Sequence, residues 1–331
     1  MKRNPRSPLH SGVLIAIILA PTVVSGPSRA QTDTYPTKPV RLIVPFPPGG
    51  STDLNARLLS PKFSEVLGQQ VVVDNRSGAS GIIGTELVAR SAPDGYTLMM
   101  TSLTFVTSPV LYSRVPYDPV SDFAPISLTS TLPSAVAVHP SVPVRSVREL
   151  LALSRARPGA LNYAASGIGS NSHITGELFN WLGKTNIVAV QFKGGGPALL
   201  AAVSGEAPIS FSNVSETARM VEAKRLRALG VSSLKRSPVL PDVPPIAEAG
   251  LPGFEFYAWH GLLAPKGTPP KLVALLNEKL RSAMSSPEQM KRFQERGLDV
   301  VTNSPEEFAV YLRDEVNKWG RVIRERKMKA E

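Results

Sequence analysis

Short apolar runs alternate with amphipathic ones along most of the chain. Residues 40–44, Val-Arg-Leu-Ile-Val, are apolar except for Arg41 and predict a buried strand. Leu54, Leu58, Leu59, Phe63 and Val66 then fall on one face of a helix, although Pro61 predicts a kink or break after Ser60. Residues 71–73 and 96–100 predict buried strands, with a helix over 82–91 between them. Such alternation implies right-handed βαβ units and a parallel sheet. Residues 126–139 are strand-like with no helix in the middle, which predicts a crossing into a second domain. Ser146-Val-Arg-Glu149 is a capping box that opens a helix ending near Pro158-Gly159. Strands are predicted again at 161–164, 187–190, 209–212 and 226–231, with helices from about Asn171, over 198–204 and over 216–223. Pro238, Pro241, Pro244 and Pro245 punctuate an irregular linker, after which 254–259 begins with strict alternation and returns the chain to the first domain. Three helices follow, the second announced by Ser286-Pro287 and the third by Ser304-Pro305-Glu-Glu307.

Two crossings mean two hinges. The expected fold is α/β, a two-domain periplasmic binding protein architecture of type II-like form. Each domain is a mainly parallel sheet flanked by helices, and a solute sits in the cleft between them. Domain 1 is discontinuous, 31–131 plus 254–331, and domain 2 is 132–253, with hinge crossings near 126–139 and 254–263.

The first thirty residues stand apart from this pattern. Lys2, Arg3 and Arg6 precede an apolar stretch over 13–19, and Ser28-Arg29-Ala30 offers small residues for a signal peptidase. The order predicts export to the periplasm with cleavage after Ala30. The apolar stretch is far shorter than the ~20 residues of a spanning helix. Removing thirty residues from 331 leaves 301, enough for two α/β domains. The formal charge of +11 includes Lys2, Arg3, Arg6 and Arg29, so the mature chain carries +7. Arg321, Arg324, Arg326, Lys327 and Lys329 lie at the end of the last helix, where cations suit its dipole. Basic residues interleaved with aromatics are missing, so no nucleic-acid partner is expected. The chain has no cysteine, which excludes disulfides, thiol catalysis and Cys-ligated zinc.

The candidate chemistry lies in loops that follow strands, where ligands bind in open α/β sheets. The leading one is Phe46-Pro47-Pro48-Gly49-Gly50-Ser51-Thr52-Asp53, a Pro/Gly elbow leading into a helix that starts at Ser or Thr. Glycines let ligand oxygens approach the main chain, and first-turn N–H groups have no partner within the helix. Four more loops share its chemistry. They carry Thr101 and Ser102; Ser166, Gly167, Gly169, Ser170, Asn171 and His173; Lys193, Gly194 and Gly195; and Asn213. Hydroxyls, amides and bare N–H groups donate to a carboxylate without fixing an opposite charge beside it. Gly and Ser also dominate ordinary turns, but five such loops at strand ends in one chain point to a ligand site.

These residues carry a family resemblance. Tyr35-Pro-Thr-Lys-Pro-Val-Arg-Leu-Ile-Val-Pro-Phe-Pro-Pro-Gly-Gly-Ser-Thr-Asp53 resembles the mature start of Bug-type receptors, the extracytoplasmic solute-binding proteins of tripartite tricarboxylate transporters. Asn75-Arg76-Ser-Gly-Ala-Ser-Gly-Ile-Ile-Gly84, Ala92-Pro-Asp-Gly-Tyr-Thr97, Tyr117-Asp-Pro-Val-Ser-Asp-Phe-Ala-Pro125 and Ser166-Gly-Ile-Gly-Ser-Asn-Ser-His173 extend the likeness over nearly the whole mature chain. The resemblance implies a monomer that captures a small carboxylate (a di- or tricarboxylate, an acidic amino acid or an aromatic acid) and hands it transiently to integral-membrane transporter subunits. It also implies that the Pro48-Gly49-Gly50-Ser51 loop holds the carboxylate, with the loop over 166–170 facing it from domain 2, partly through waters. No cofactor or metal is implied. Pro61 and the Gly205-Glu-Ala-Pro208 segment depart from the usual family pattern.

Several residues admit two readings. Asp53 either stabilises the helix start through the dipole or contacts a ligand amine or hydroxyl. His173 either donates to the ligand or caps and packs its helix. Lys193 either pairs with a second carboxylate or is a solvated loop lysine. Trp259 and His260 on the return strand are assigned to hinge packing, and Gly78-Ala-Ser-Gly81 to a tight helix start rather than a dinucleotide fingerprint. Ser170 and His173 supply the one nucleophile–base spacing for a serine hydrolase, but there is no Gly-x-Ser-x-Gly elbow and no metal-ligand spacing, so no catalytic residue is assigned. A receptor that reports its ligand to a signalling sensor would use the same closed surface as one that serves uptake.

Overall fold

In a computed structural model, which describes residues 35–330, the first unit follows its apolar pattern. The predicted signal segment lies outside the described residues. Strand β1 (Val40–Val44) is buried except at Arg41 and leads through the Pro/Gly elbow into α1 (Ser51–Leu67). Pro61 sits inside α1 without interrupting it, contrary to the expected break. The hydroxyls of Ser60 and Ser64 donate to the carbonyls of Ala56 and Ser60, each at 2.7 Å, in the turns on either side of the proline, whose missing N–H leaves the Arg57 carbonyl without its helical donor. Strands β2 (Val71–Asn75) and β3 (Thr97–Ser102) flank β1 in parallel, with α2 (Ile82–Ala89) between them in sequence and α3 (Thr104–Leu111) after them.

Strand β4 (Phe123–Val138) is sixteen residues long and belongs to two sheets. Its first part pairs antiparallel with β9 (Tyr257–Pro265), up to the register Pro133 with Tyr257. Its last part, from Ser134 onward, pairs with β7 (Ile209–Asn213) and β8 (Arg227–Val231). The second sheet is completed by β5 (Asn162–Ala165) and β6 (Val188–Gln191), and β5 is parallel to both β6 and β7. The strand order is thus β2-β1-β3-β9-β4-β7-β5-β6, with parallel outer strands and antiparallel joints at β9 and β4. Helices α4 (Val147–Ala156), α5 (Asn171–Gly183), α6 (Gly195–Ser204) and α7 (Val214–Glu222) serve the second sheet. Helices α8 (Pro270–Met284), α9 (Pro287–Gln294) and α10 (Pro305–Glu325) close the chain, with the two-residue strand β10 (Asp299–Val300), which the sequence pattern does not announce, between the last two.

The alternating residues 254–256 stay outside the return strand, which begins at Tyr257. They serve the crossing instead. Ser232, fully buried, accepts the Ser134 N–H at its hydroxyl oxygen (2.7 Å) and donates that hydroxyl to the Phe256 carbonyl (2.5 Å). Its own N–H donates to the Ser134 carbonyl, and the Phe256 N–H donates to its carbonyl. One serine therefore ties β4 to the segment that leads into β9. Ser232→Ala leaves a buried N–H and a buried carbonyl without this partner, so it is expected to cost about 1–3 kcal/mol. Urea unfolding checks this; an unchanged midpoint would show that the crossings do not depend on this serine.

Candidate functional site

Five helix starts converge on one cavity of about 360 Å³ between the two sheets. Gly50 and Ser51 bring the start of α1, Ser102 and Thr104 that of α3, and Ser170 and Asn171 that of α5. Gly194 to Gly196 bring the start of α6, and Asn213 that of α7. A helix start carries the positive dipole end and first-turn N–H groups without partners inside the helix, and five such starts border the same space. Four of the five, α1, α3, α6 and α7, have no side-chain cap. Of the helices whose starts do not line the cavity, α4, α9 and α10 are capped by the hydroxyls of Ser146, Ser286 and Ser304, while α2 and α8 have no side-chain cap either. Helix α6 begins three residues before its predicted start, so Gly195 and Gly196 belong to its first turn.

Of the residues assigned from sequence, Phe46, Gly49, Gly50, Ser51, Ser102, Ser166, Ser170, Asn171, Gly194, Gly195 and Asn213 line this cavity. Pro48, Asp53, Thr101, Gly167, Gly169, His173 and Lys193 do not. Asp53 is buried beneath the loop and accepts from the Gly49 N–H (2.9 Å), from Arg57 Nε (2.9 Å to Oδ2) and from Asn75 Nδ2 (2.9 Å). Burial alone would raise its pKa, but the bonds from Arg57, Gly49 and Asn75 hold the carboxyl below its usual range. Its carboxylate fixes the loop, and it also occupies the Gly49 N–H. His173 is buried and accepts the Gly169 N–H at Nδ1 (3.0 Å). Its imidazole lines a different cavity, of about 340 Å³, beside Glu177 and Arg326. Ser170 Oγ caps α5 by accepting the His173 N–H, so the hydroxyl meets the main chain of His173 and not its ring. Lys193 is exposed on its loop. Thr101 is fully buried behind Ser102, and its hydroxyl has no partner among the described residues.

Two glycines set how closely the walls approach. Gly169 (φ +74°) packs so tightly on α3 that a Cβ there would lie 2.5 Å from Leu111 Cδ1, while Thr107 Oγ1 donates to the Gly169 carbonyl at 3.3 Å. Gly297 (φ +70°), before β10, faces Ser215 of α7 with no room for a Cβ. A second cavity of about 630 Å³ shares Gly49, Ser51, Asn213 and Glu216 with the first, so the cleft extends beyond the loop tips.

Sequence reasoning missed Glu216 and Phe211, which also line the cavity. Glu216 stands three residues after Asn213, the N-cap of α7. That Asn-x-x-Glu spacing, read as a cap and third-position acid, would have placed it in the same helix turn. Burial pushes its carboxyl up, against the pull of Arg219 and Asn213. The other polar positions of the cavity wall are hydroxyls, amides and glycines, beside the apolar Phe46, Pro47, Ala198 and Phe211, and Glu216 is the single carboxyl among its residues.

The family model for the tripartite tricarboxylate transporter family receptor, TctC, matches residues 55–328. The chain belongs to that receptor family. The BugT protein of Bordetella pertussis is 37% identical over 94% of this chain and 96% of its own. A Pseudomonas sp. protein from the tcbD–tcbE intergenic region is 41% identical over 96% of this chain and 95% of its own. Among solved structures, R. palustris Rpa4515 with adipate superposes with a TM-score of 0.80 at 36% identity, covering 88% of this chain and 98% of that one. MatC from Rhodopseudomonas palustris with bound malate gives 0.77 at 33% identity, covering 87% and 100%. The periplasmic binding protein BugD gives 0.78 at 32% identity, covering 90% and 100%. TctC receptors are solute-binding proteins of the two-domain α/β binding-protein fold, and this receptor shares that fold.

His260, whose ring lies against Ser51, is fully buried, with its pKa lowered by burial from 6.5 to about 3. The native ring is neutral, while the unfolded chain takes up a proton below about 6.5. The term it contributes is therefore complete above pH 6.5 and is lost as pH falls towards 3. Between pH 6.5 and 4.5 the wild type should lose about 2–3 kcal/mol from this group. Urea midpoints should thus fall less over this range in His260→Phe than in the wild type; equal falls would contradict a neutral buried ring.

Proposed function

We propose that the protein captures a small carboxylate in this cleft and delivers it to the membrane subunits of a tripartite tricarboxylate transporter. The observation that carries this reading is the convergence of helix starts, four of them without side-chain caps, on a cavity lined by hydroxyls and glycine main chain. Such a wall supplies hydrogen-bond donors and positive dipole ends to an anion with no buried counter-charge to desolvate. Adipate and malate in two related receptors are small carboxylates of the matching class. In this reading Gly50, Ser51 and Ser102 hold the acid from one lobe. Ser166, Ser170, Asn171, Gly194, Gly195 and Asn213 hold it from the other, and Phe46 walls the cavity. Domain 1 comprises 31–131 with 254–331, and domain 2 comprises 132–253; β4 and the segment leading into β9 are the hinges. The chain is exported, cleaved after Ala30, and works in the periplasm as a monomer without catalytic groups.

Calorimetry against adipate, malate, glutamate, benzoate and a sugar tests the substrate class. An acid at 100 times its Kd should add about 2.7 kcal/mol of stability. A response to the sugar and to none of the acids would refute the class. Gly50→Asp separates binding from folding. Gly50 has extended backbone (φ −76°, ψ 170°), and a Cβ there meets nothing closer than 3.8 Å. A carboxylate at that cap would satisfy the α1 N–H groups and repel an acid, so the melting temperature should hold or rise while affinity drops about tenfold or more. Unchanged affinity would remove the α1 start from the site. Glu216→Gln removes the one acid from the cavity wall. Affinity for adipate should rise relative to affinity for glutamate, whose ammonium group loses a partner; a constant ratio would place Glu216 outside ligand contact.

A further inference from the structure

Behind the α1 loop runs a line of buried polar side chains drawn from three elements: Thr129 and Ser130 of β4, Asn55 of α1, and His260 of β9. All four are fully buried. Thr129 Oγ1 donates to Asn55 Oδ1 (3.1 Å), and Asn55 Nδ2 donates to Ser130 Oγ (2.6 Å). The His260 ring bridges Ser130 Oγ at Nδ1 (3.1 Å) and Ser51 Oγ at Nε2 (3.3 Å). Ser51 in turn lines the cavity at the start of α1.

The direction of each bond fixes the next, because a hydroxyl holds one proton and a neutral imidazole one N–H. The Thr129 hydroxyl has two acceptors within reach, the Asn55 amide oxygen and the Met100 sulfur at 3.6 Å. The oxygen is much the stronger acceptor, so the proton turns to Asn55. Asn55 then presents its N–H to Ser130, whose oxygen accepts; among the described residues Nδ1 of His260 is the acceptor within reach of the Ser130 proton, so that proton turns to it. The ring proton sits on Nε2 and goes to the Ser51 oxygen. With that lone pair engaged, the Ser51 proton faces the cavity. The opposite polarity would spend the Ser51 proton on Nε2 and show the cavity lone pairs alone, which repel an anion.

We propose that His260 is a positioning residue that holds the Ser51 hydroxyl as a donor aimed into the cleft, so that this point of the site favours a bare acceptor such as a carboxylate oxygen. The inference rests on the carboxylate reading above and adds a specificity element to it. Complete burial, with a strongly lowered pKa, keeps the ring neutral, and neutrality is what couples its two nitrogens. A charged ring would donate from both and break the sequence at Ser130.

Long-range proton–nitrogen spectra of the full chain, labelled at histidine and free of ligand, read the tautomer directly; loss of signals in His260→Phe assigns the ring. The expected state is neutral with the proton on Nε2, whereas a proton on Nδ1, or a charged ring at pH 7, overturns the inference. Calorimetry with adipate and malate on Ser51→Ala, His260→Phe and the double variant gives the second readout. Each single change should weaken binding about tenfold, and the double variant should be no weaker than the worse single. Fully additive losses would mean that His260 acts through packing alone and would overturn the coupling. Should His260→Phe not fold, Ser130→Ala takes its place in the cycle with the same expectation. If the wild type binds neither acid, glutamate or benzoate takes their place in the cycle; if it binds none of the four, the carboxylate reading fails, and the tautomer alone decides the relay.

Discussion

The first turn of an α-helix has N–H groups with no partner inside the helix, and the structure depends on where those of α1, α3, α6 and α7 are left. None of the four has a side-chain cap, and all four begin at the rim of one cavity. A set of bare donors facing a shared space has its partners supplied by whatever enters it. Glycines and hydroxyl-bearing residues make up most of this wall, so the site holds the charged end common to many acids. The distinguishing contacts fall to side chains such as Glu216 and to the room in the adjoining 630 Å³ cavity.

Holding those helix starts in register requires rigid support beneath each loop. Asp53 provides it under α1 by gathering Gly49, Arg57 and Asn75 around one buried carboxylate. His260 provides it from the side by joining Ser51 to β4. Strand β4 is the common member: it pairs with β9 in one sheet and with β7 in the other, and Ser232 fastens its crossing point to the returning chain. A single long strand thus carries the alignment of both cavity walls.

The loop positions were legible because their signals are local. A strand's apolar run, a Gly- or Ser-rich turn and a helix start lie within ten or so consecutive residues around Gly50, Ser170 and Gly194, and chain order puts them at strand ends. Which group within a loop turns inward was not legible, since that depends on partners elsewhere. Asp53 and His173 are engaged with their own loops, and Lys193 lies in solvent. His260 reaches a serine 209 residues away, a pairing that only the sheet order β3-β9-β4 brings about. Pro61 predicted a break that α1 does not make: the buried face of α1, with Leu58, Leu59 and Phe63 on either side of the proline, keeps the helix continuous. Residues 254–256 looked like strand by alternation, but their place is the crossing, where Phe256 bonds Ser232.

The central claim concerns main-chain amides, and amides can be observed one at a time. In proton–nitrogen spectra of the backbone, titration with a tightly bound diacid should move the amide protons of Ser51, Thr52, Gly195 and Gly196 downfield together, as hydrogen bonds to a carboxylate form. Saturable binding that leaves all four unmoved would contradict the account.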